Sequence, residues 1–214
     1  MRRVGAYPGS FNPPTVAHLA VADAAREQCH LDQVELVVSR VALAKEQVAR
    51  PVLADRVAVL EQVAARVPWV SVVVREAQLV ADLAEGYDVV VLGADKWAQV
   101  LDPAFYGDST VARDRALSRL PEVALVARPP HRLESSPPGI GPIRVRALTV
   151  PDAAGVSSSG ARAGRRAWMV PEAAAFDAAT GAWSDPDRYE AWLAGRGQPA
   201  PDWVPSRVEH KWPQ

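Results

Sequence analysis

Val4-Gly5-Ala6-Tyr7-Pro8-Gly9-Ser10-Phe11-Asn12-Pro13-Pro14-Thr15-Val16-Ala17-His18 holds the first strand, loop and helix start of the chain. Residues 4–7 are a short apolar run that reads as a buried strand, stopped by Pro8 and Gly9. Three prolines and a glycine over residues 8–14 make a loop. From residue 15 to 28 the apolar positions Val16, Leu19, Ala20 and Ala24 recur at helical spacing. Asn12 followed by Pro13 suits the cap and first position of that helix. The order puts a helix N-terminus at the carboxyl end of a strand. Ligands of open α/β sheets sit there, and unbonded helix N–H groups attract phosphate. Gly9 lets the backbone approach a ligand closely. Thr15 and His18 are three apart and share a helix face, so a hydroxyl and an imidazole converge on one anion. An ordinary loop with a helix-face histidine accounts for the same residues equally well.

Outward from this unit, strand and helix patterns alternate. Strands are expected over residues 34–38, 69–74, 88–92, 123–127 and 143–148. Helices are expected over 51–66 and 77–85, the latter capped by Gly86. Residues 88–92 are apolar without alternation, as in strands buried on both faces of a parallel sheet. The alternation predicts an α/β fold, a Rossmann-like doubly wound parallel sheet. Seven of the fourteen residues from 129 to 142 are Pro or Gly, which makes that stretch a loop.

Composition changes after Arg166, so the reading divides the chain into a domain over residues 1–166 and a helical or irregular extension over 167–214. Trp168, Trp183, Trp192, Trp203 and Trp212 are five of the seven tryptophans and all lie in the extension. Packing of these rings on the domain is the favoured expectation. A subunit interface, giving a homo-oligomer, or a lid over the site are the others.

The bulk numbers exclude several classes. A chain of 214 residues can bury a core without metal or disulfide staples. A net charge of −1 lacks the basic footprint of a nucleic-acid or acidic-membrane binder. The single cysteine, Cys29, cannot form an internal disulfide, which fits a reducing cytoplasm. Residues 1–3 run straight into a strand pattern, so neither a signal peptide nor a membrane span is expected.

Two further motifs carry chemistry. Val156-Ser157-Ser158-Ser159-Gly160-Ala161-Arg162 reads as a second strand-to-helix junction, with serine hydroxyls and the forked cation of Arg162 suited to an anion. A flexible Ser/Gly linker is the plain alternative, and Arg162, Arg165 and Arg166 also fit a solvated face. Gly93-Ala94-Asp95-Lys96-Trp97 ends the apolar strand. There Asp95 is placed to accept ribose hydroxyls and Trp97 to stack on a base. The alternative is a helix cap and a packing tryptophan.

Together the three motifs resemble a nucleotidyltransferase family. It includes the nicotinate- and nicotinamide-nucleotide adenylyltransferases, phosphopantetheine adenylyltransferase and the small cytidylyltransferases. Its first signature, Gly-x-Phe-(Asp/Asn)-Pro-x-(His/Thr)-x-Gly-His, is similar to residues 9–18. Its second, Ile-Ser-Ser-(Ser/Thr)-x-x-Arg, is similar to residues 156–162. Gly93-Ala94-Asp95 looks like the Gly-x-Asp of the pyridine-nucleotide branch, with Trp97 close behind. Lys45 with Arg56 resembles that branch's lysine loop, and Ala127-Arg128-Pro129 its strand ending in Arg-Pro. The resemblance covers residues 3–166. Thr15, in place of a first histidine, is typical of the phosphopantetheine branch, and Ala17 stands where the signature has glycine.

The resemblance implies transfer of AMP from ATP to a phosphorylated acceptor with loss of pyrophosphate. It implies ATP as substrate and Mg2+ carried mostly by the nucleotide and water, with no protein metal cage. His18, Lys45, Arg162 and Thr15 would be catalytic. Gly9, Ser10, Phe11, His18, Gly93, Asp95, Ser157, Ser158, Ser159 and Arg162 would bind nucleotide. Thr15, Lys45, Trp97 and Arg128 would meet the acceptor, which is nicotinate or nicotinamide mononucleotide on this reading. Another phosphate acceptor with ATP or CTP, and a non-catalytic nucleotide-binding homologue, stay open as alternatives.

Overall fold

The computed structural model describes residues 2–40, 50–126, 143–150 and 155–197. Six strands form one sheet: β1 (Val4–Pro8), β2 (Gln33–Ser39), β3 (Val70–Arg75), β4 (Val89–Gly93), β5 (Glu122–Val126) and β6 (Val145–Leu148). Their order is β3-β2-β1-β4-β5-β6. Every pairing is parallel. This is a doubly wound sheet with its switch between β1 and β4. The helices are α1 (Val16–Gln28), α2 (Leu53–Arg66), α3 (Val80–Leu83), α4 (Ala94–Leu101), α5 (Thr110–Leu117), α6 (Ser158–Arg162), α7 (Pro171–Thr180) and α8 (Pro186–Ala194).

Strand alternation divides the core into two layers. Val90 and Leu92 of β4 join Ala6, Val37, Val123 and Leu125 under α3, α4 and α5. Val89 and Val91 face the other way and join Val34, Ala124 and Leu148 under α1. Leu36, Val38 and Val70 continue that layer beneath Leu60 of α2. The run in β4 is buried from Val89 to Leu92, as expected of a strand covered on both faces.

Three local expectations change. The helix over 77–85 contracts to the single turn α3, and Gly86, at φ +85, makes the turn into β4 beyond its C-cap Ala84. The cap of α1 is Thr15 rather than Asn12, because the Thr15 backbone is extended and its N–H is met by His18. Helix α4 realises the alternative of a helix start with a packing tryptophan, capped at Gly93 rather than Asp95, and α5 fills a stretch for which no helix was expected. In α5 only Ala116 and Leu117 are buried, so its sequence carries little period to read.

Helices α7 and α8 pack on α2. Phe176, Trp183 and Tyr189 form one apolar cluster with Val59 and Val63 of α2 and with Ala161, Met169 and Val170. Arg66 Nε lies 2.5 Å from Glu172 Oε1, joining α2 to α7. Trp183 is thus engaged within the chain; Trp203 and Trp212 lie outside the described residues.

Candidate active site

The loop after β1 begins with a hydrogen bond from Gly9 N–H to Val37 O at 3.0 Å. Phe11 follows with a left-handed backbone, φ +43, and a ring only 1% exposed. A bulky residue in that region costs about 1–3 kcal/mol, which the burial of its ring offsets. The ring meets Tyr7 edge-on at 5.6 Å and His18 at 5.2 Å. It also covers Gly9, where a Cβ would lie 2.8 Å from the Phe11 ring. Gly9 therefore also has to be glycine to seat Phe11, a packing reason the sequence did not show.

Thr15 and His18 do share a helix face, but their relationship differs from the expected one. Thr15 is fully buried. Its N–H donates to His18 Nδ1 at 2.9 Å, and its Oγ1 lies 2.8 Å from the same nitrogen. A backbone N–H can only donate, so Nδ1 must accept and the proton of the neutral ring sits on Nε2. Thr15 thus orients His18 and selects its tautomer. Its hydroxyl is engaged with His18 in this structure.

The second motif closes on the first across the sheet's carboxyl end. The Ser158 hydroxyl donates to Pro13 O at 2.8 Å. Arg162 donates to the Asn12 carbonyl and, through its other arm, to Ser159 Oγ at 3.3 Å. Ser157 caps α6, its Oγ accepting from Gly160 N–H at 3.1 Å. A Cβ on Gly160 would meet the Trp168 ring at 2.3 Å, so the glycine belongs to packing. The three arginines separate here. Arg162 is aimed at the first loop, Arg165 lies over Trp168 at 4.4 Å, and Arg166 sits 3.0 Å from the buried Asp177 carboxylate. All three stay exposed, each with a different partner.

The third motif meets the crevice from β4. Asp95 is exposed in the first turn of α4, its carboxylate folded back over Gly93. Trp97 is 0% exposed and packs with Val100, Leu101 and Leu117 in the core. Its ring is core packing in this structure, with no face open to stack on a base. Lys45 and Arg128 lie outside the described residues.

Two residues that the sequence reading named for other roles, Arg56 with Lys45 and Trp183 as a packing ring, hold the first loop. Arg56, only 6% exposed, donates to Ser10 O at 2.9 Å and to Pro51 O at 3.2 Å. Burial pushes its pKa below the ordinary arginine value. Its signal was a charged residue at an inward position of α2. Trp183 donates from Nε1 to Asn12 Oδ1 at 2.6 Å. No local pattern links those two residues, which lie 171 positions apart.

The fold and these loops define a class: a Rossmann-like α/β protein with polar loops gathered at the switch point of its sheet. The chain belongs to the cytidylyltransferase-like family, whose model matches residues 6–164. Nucleotidyltransferase is the class to which that assignment points. Two solved structures of Plasmodium falciparum nicotinic acid mononucleotide adenylyltransferase share the fold. The one complexed with APC is 14% identical, and the one with NaAD 15%. Each gives a TM-score of 0.62 and covers 83% of this chain and 95% of that one. No curated protein matches the chain by sequence. No helix among the described residues is long and apolar enough to cross a membrane.

Proposed function

We propose that the protein is a nucleotidyltransferase that moves AMP from ATP onto the phosphate of a pyridine mononucleotide, releasing pyrophosphate. The observation that carries this reading is the closure of the second loop on the first. Arg162 and Ser158 hold the carbonyls of Asn12 and Pro13. That closure brings the Arg162 guanidinium to the loop that leads into His18, and Asp95 opens α4 after β4, the strand paired with β1.

The chemistry needs little from the side chains beyond position and charge. A phosphate monoester has its second pKa near ~6, so the acceptor is largely dianionic at neutral pH and needs no general base. It attacks the α-phosphorus, and pyrophosphate leaves. His18, with its proton on Nε2, donates to the charge developing on the phosphates, and Arg162 binds the triphosphate. Ser10 and Phe11 supply backbone amides, the Ser159 hydroxyl and the backbone N–H of Ser158 contact the distal phosphates while the Ser158 hydroxyl stays on Pro13 O, and Asp95 accepts the ribose hydroxyls. Lys45 and Arg128 would add charge on the acceptor side. The described residues hold no cluster of three or more His, Cys, Asp or Glu. Mg2+ would arrive on the nucleotide phosphates and waters, since it rarely has an all-protein cage. When bound, the ion neutralises phosphate charge.

A second reading keeps the reaction and changes the acceptor to another phosphate ester. The burial of Trp97, which removes a stacking face, favours it. The test is pyrophosphate release with ATP or CTP against nicotinate mononucleotide, nicotinamide mononucleotide and phosphopantetheine. Turnover with a pyridine mononucleotide supports the first reading, and turnover with phosphopantetheine alone supports the second. Tight ATP binding without pyrophosphate from any acceptor overturns both.

A further inference from the structure

We propose that Trp183, in the extension beyond the matched family segment, is a positioning residue that sets the first loop for nucleotide binding. The inference rests on the nucleotide-site reading above and adds the extension to it.

Trp183 is a rigid arm. Its backbone N–H and that of Ser184 donate to Asp177 Oδ1 at 2.8 and 3.0 Å. Asp177 is fully buried, so this anchor is shielded from competing water. The Trp183 ring is only 6% exposed and packs edge-on against Phe176 at 5.8 Å. The turn before it uses Gly181 at φ +76, where a Cβ would meet Asp185 O at 2.8 Å. Backbone and ring are both constrained, and the indole N–H ends on Asn12 Oδ1 at 2.6 Å.

Asn12 then passes the constraint on. An indole N–H can only donate, which assigns Oδ1 to Trp183 and turns Nδ2 toward Arg50 O, 3.4 Å away. With its side chain held from two sides, Asn12 presents its main-chain carbonyl to Arg162. Trp183 therefore acts on the site through Asn12 and Arg162 and touches no substrate itself. A second contact seats the same extension. Tyr189 donates to the buried Asp55 of α2 and accepts from Val52 N–H at 3.0 Å, beside Arg56, which holds Ser10.

The experiment measures ATP affinity in the presence of Mg2+ by calorimetry. It compares the full chain with Trp183→Phe, Asn12→Ala and the double variant. Trp183→Phe keeps an aromatic ring beside Phe176, removes the N–H and loses part of the ring volume, so a thermal melt accompanies the titration. Each single change should weaken ATP binding about tenfold, the scale of one lost hydrogen bond. The double variant should bind no worse than Asn12→Ala, because Trp183 works through Asn12. Losses that add fully, or wild-type affinity in Trp183→Phe, overturn the inference while leaving the nucleotide site intact. A wild-type chain that binds neither ATP nor CTP overturns the functional reading and this inference together. If Trp183→Phe does not fold, indole N–H resonances of the wild type and Asn12→Ala supply the second measurement. One indole signal should shift with Asn12→Ala and also move when ATP is added to the wild type. The absence of any signal that responds to both overturns the inference.

Discussion

Arg162 donates a hydrogen bond to the main-chain carbonyl of Asn12, 150 residues earlier in the chain. One side chain thus ties the loop after β1 to the last residue of α6. The guanidinium fork can hold that carbonyl, reach Ser159 and present further N–H groups to a phosphate at the same time. Arg162→Ala should weaken ATP binding by about ten- to a hundredfold, on the scale of a charged hydrogen bond of ~1.5–3 kcal/mol. Arg162→Lys should not restore it, since a point charge lacks the fork. Calorimetry checks both, and unchanged nucleotide affinity in Arg162→Ala counts against the assignment.

His18 is held so that its donor nitrogen is defined before any ligand arrives. His18→Ala should lower the transfer rate by about two to three orders of magnitude, the range for a lost electrostatic partner of a transition state. Steady-state pyrophosphate release is the measurement. Near-normal turnover would remove His18 from the mechanism.

Thr15 should act through His18. Thr15→Val keeps the side-chain volume and the backbone N–H but deletes the hydroxyl 2.8 Å from Nδ1. The expected result is a fall in kcat of about tenfold with little change in ATP affinity, plus a stability loss of about 1 kcal/mol. Rate, calorimetry and a thermal melt separate the three quantities. A loss confined to acceptor KM would instead make Thr15 an acceptor contact.

Docking of the extension should weaken in acid. Burial pushes Glu172 up, but its hydrogen bonds and ion pair with Arg66 outweigh that and hold its pKa below the ordinary glutamate value. A depressed carboxylate contributes stability above its unfolded pKa and loses it as pH falls through the folded one. Glu172→Gln should therefore cost about 0.5–1 kcal/mol near neutral pH, the scale of a partly exposed pair. The gap to wild type should close as pH drops below the ordinary glutamate range. Melting curves from pH 7 to pH 3 check this, and a gap that widens in acid would refute the sign.

Much of the layout was legible because it is local. The apolar runs at residues 34–38 and 88–92 mark strands, and β4 is buried on both faces as its unbroken run implied. Alternation of strand and helix patterns implied the parallel sheet. Helix α5 escaped notice because only Ala116 and Leu117 face the core. The helix over 77–85 was overextended because its apolar residues continue past the one turn that forms.

The sequence by itself determined the strand–loop–helix unit at residues 4–18 and the presence of two further polar junctions, because backbone preference and side-chain period act over a few neighbours. It did not determine what each side chain does there. Trp97 could equally have faced a base or the core, and packing against Val100 and Leu117 decided it. Gly9 has its space filled by Phe11, and Thr15 turns to His18 instead of solvent. Only the tertiary structure brought Arg162 and Trp183 to Asn12, since a hydrogen bond forms wherever folding places donor and acceptor, however far apart they lie in the chain.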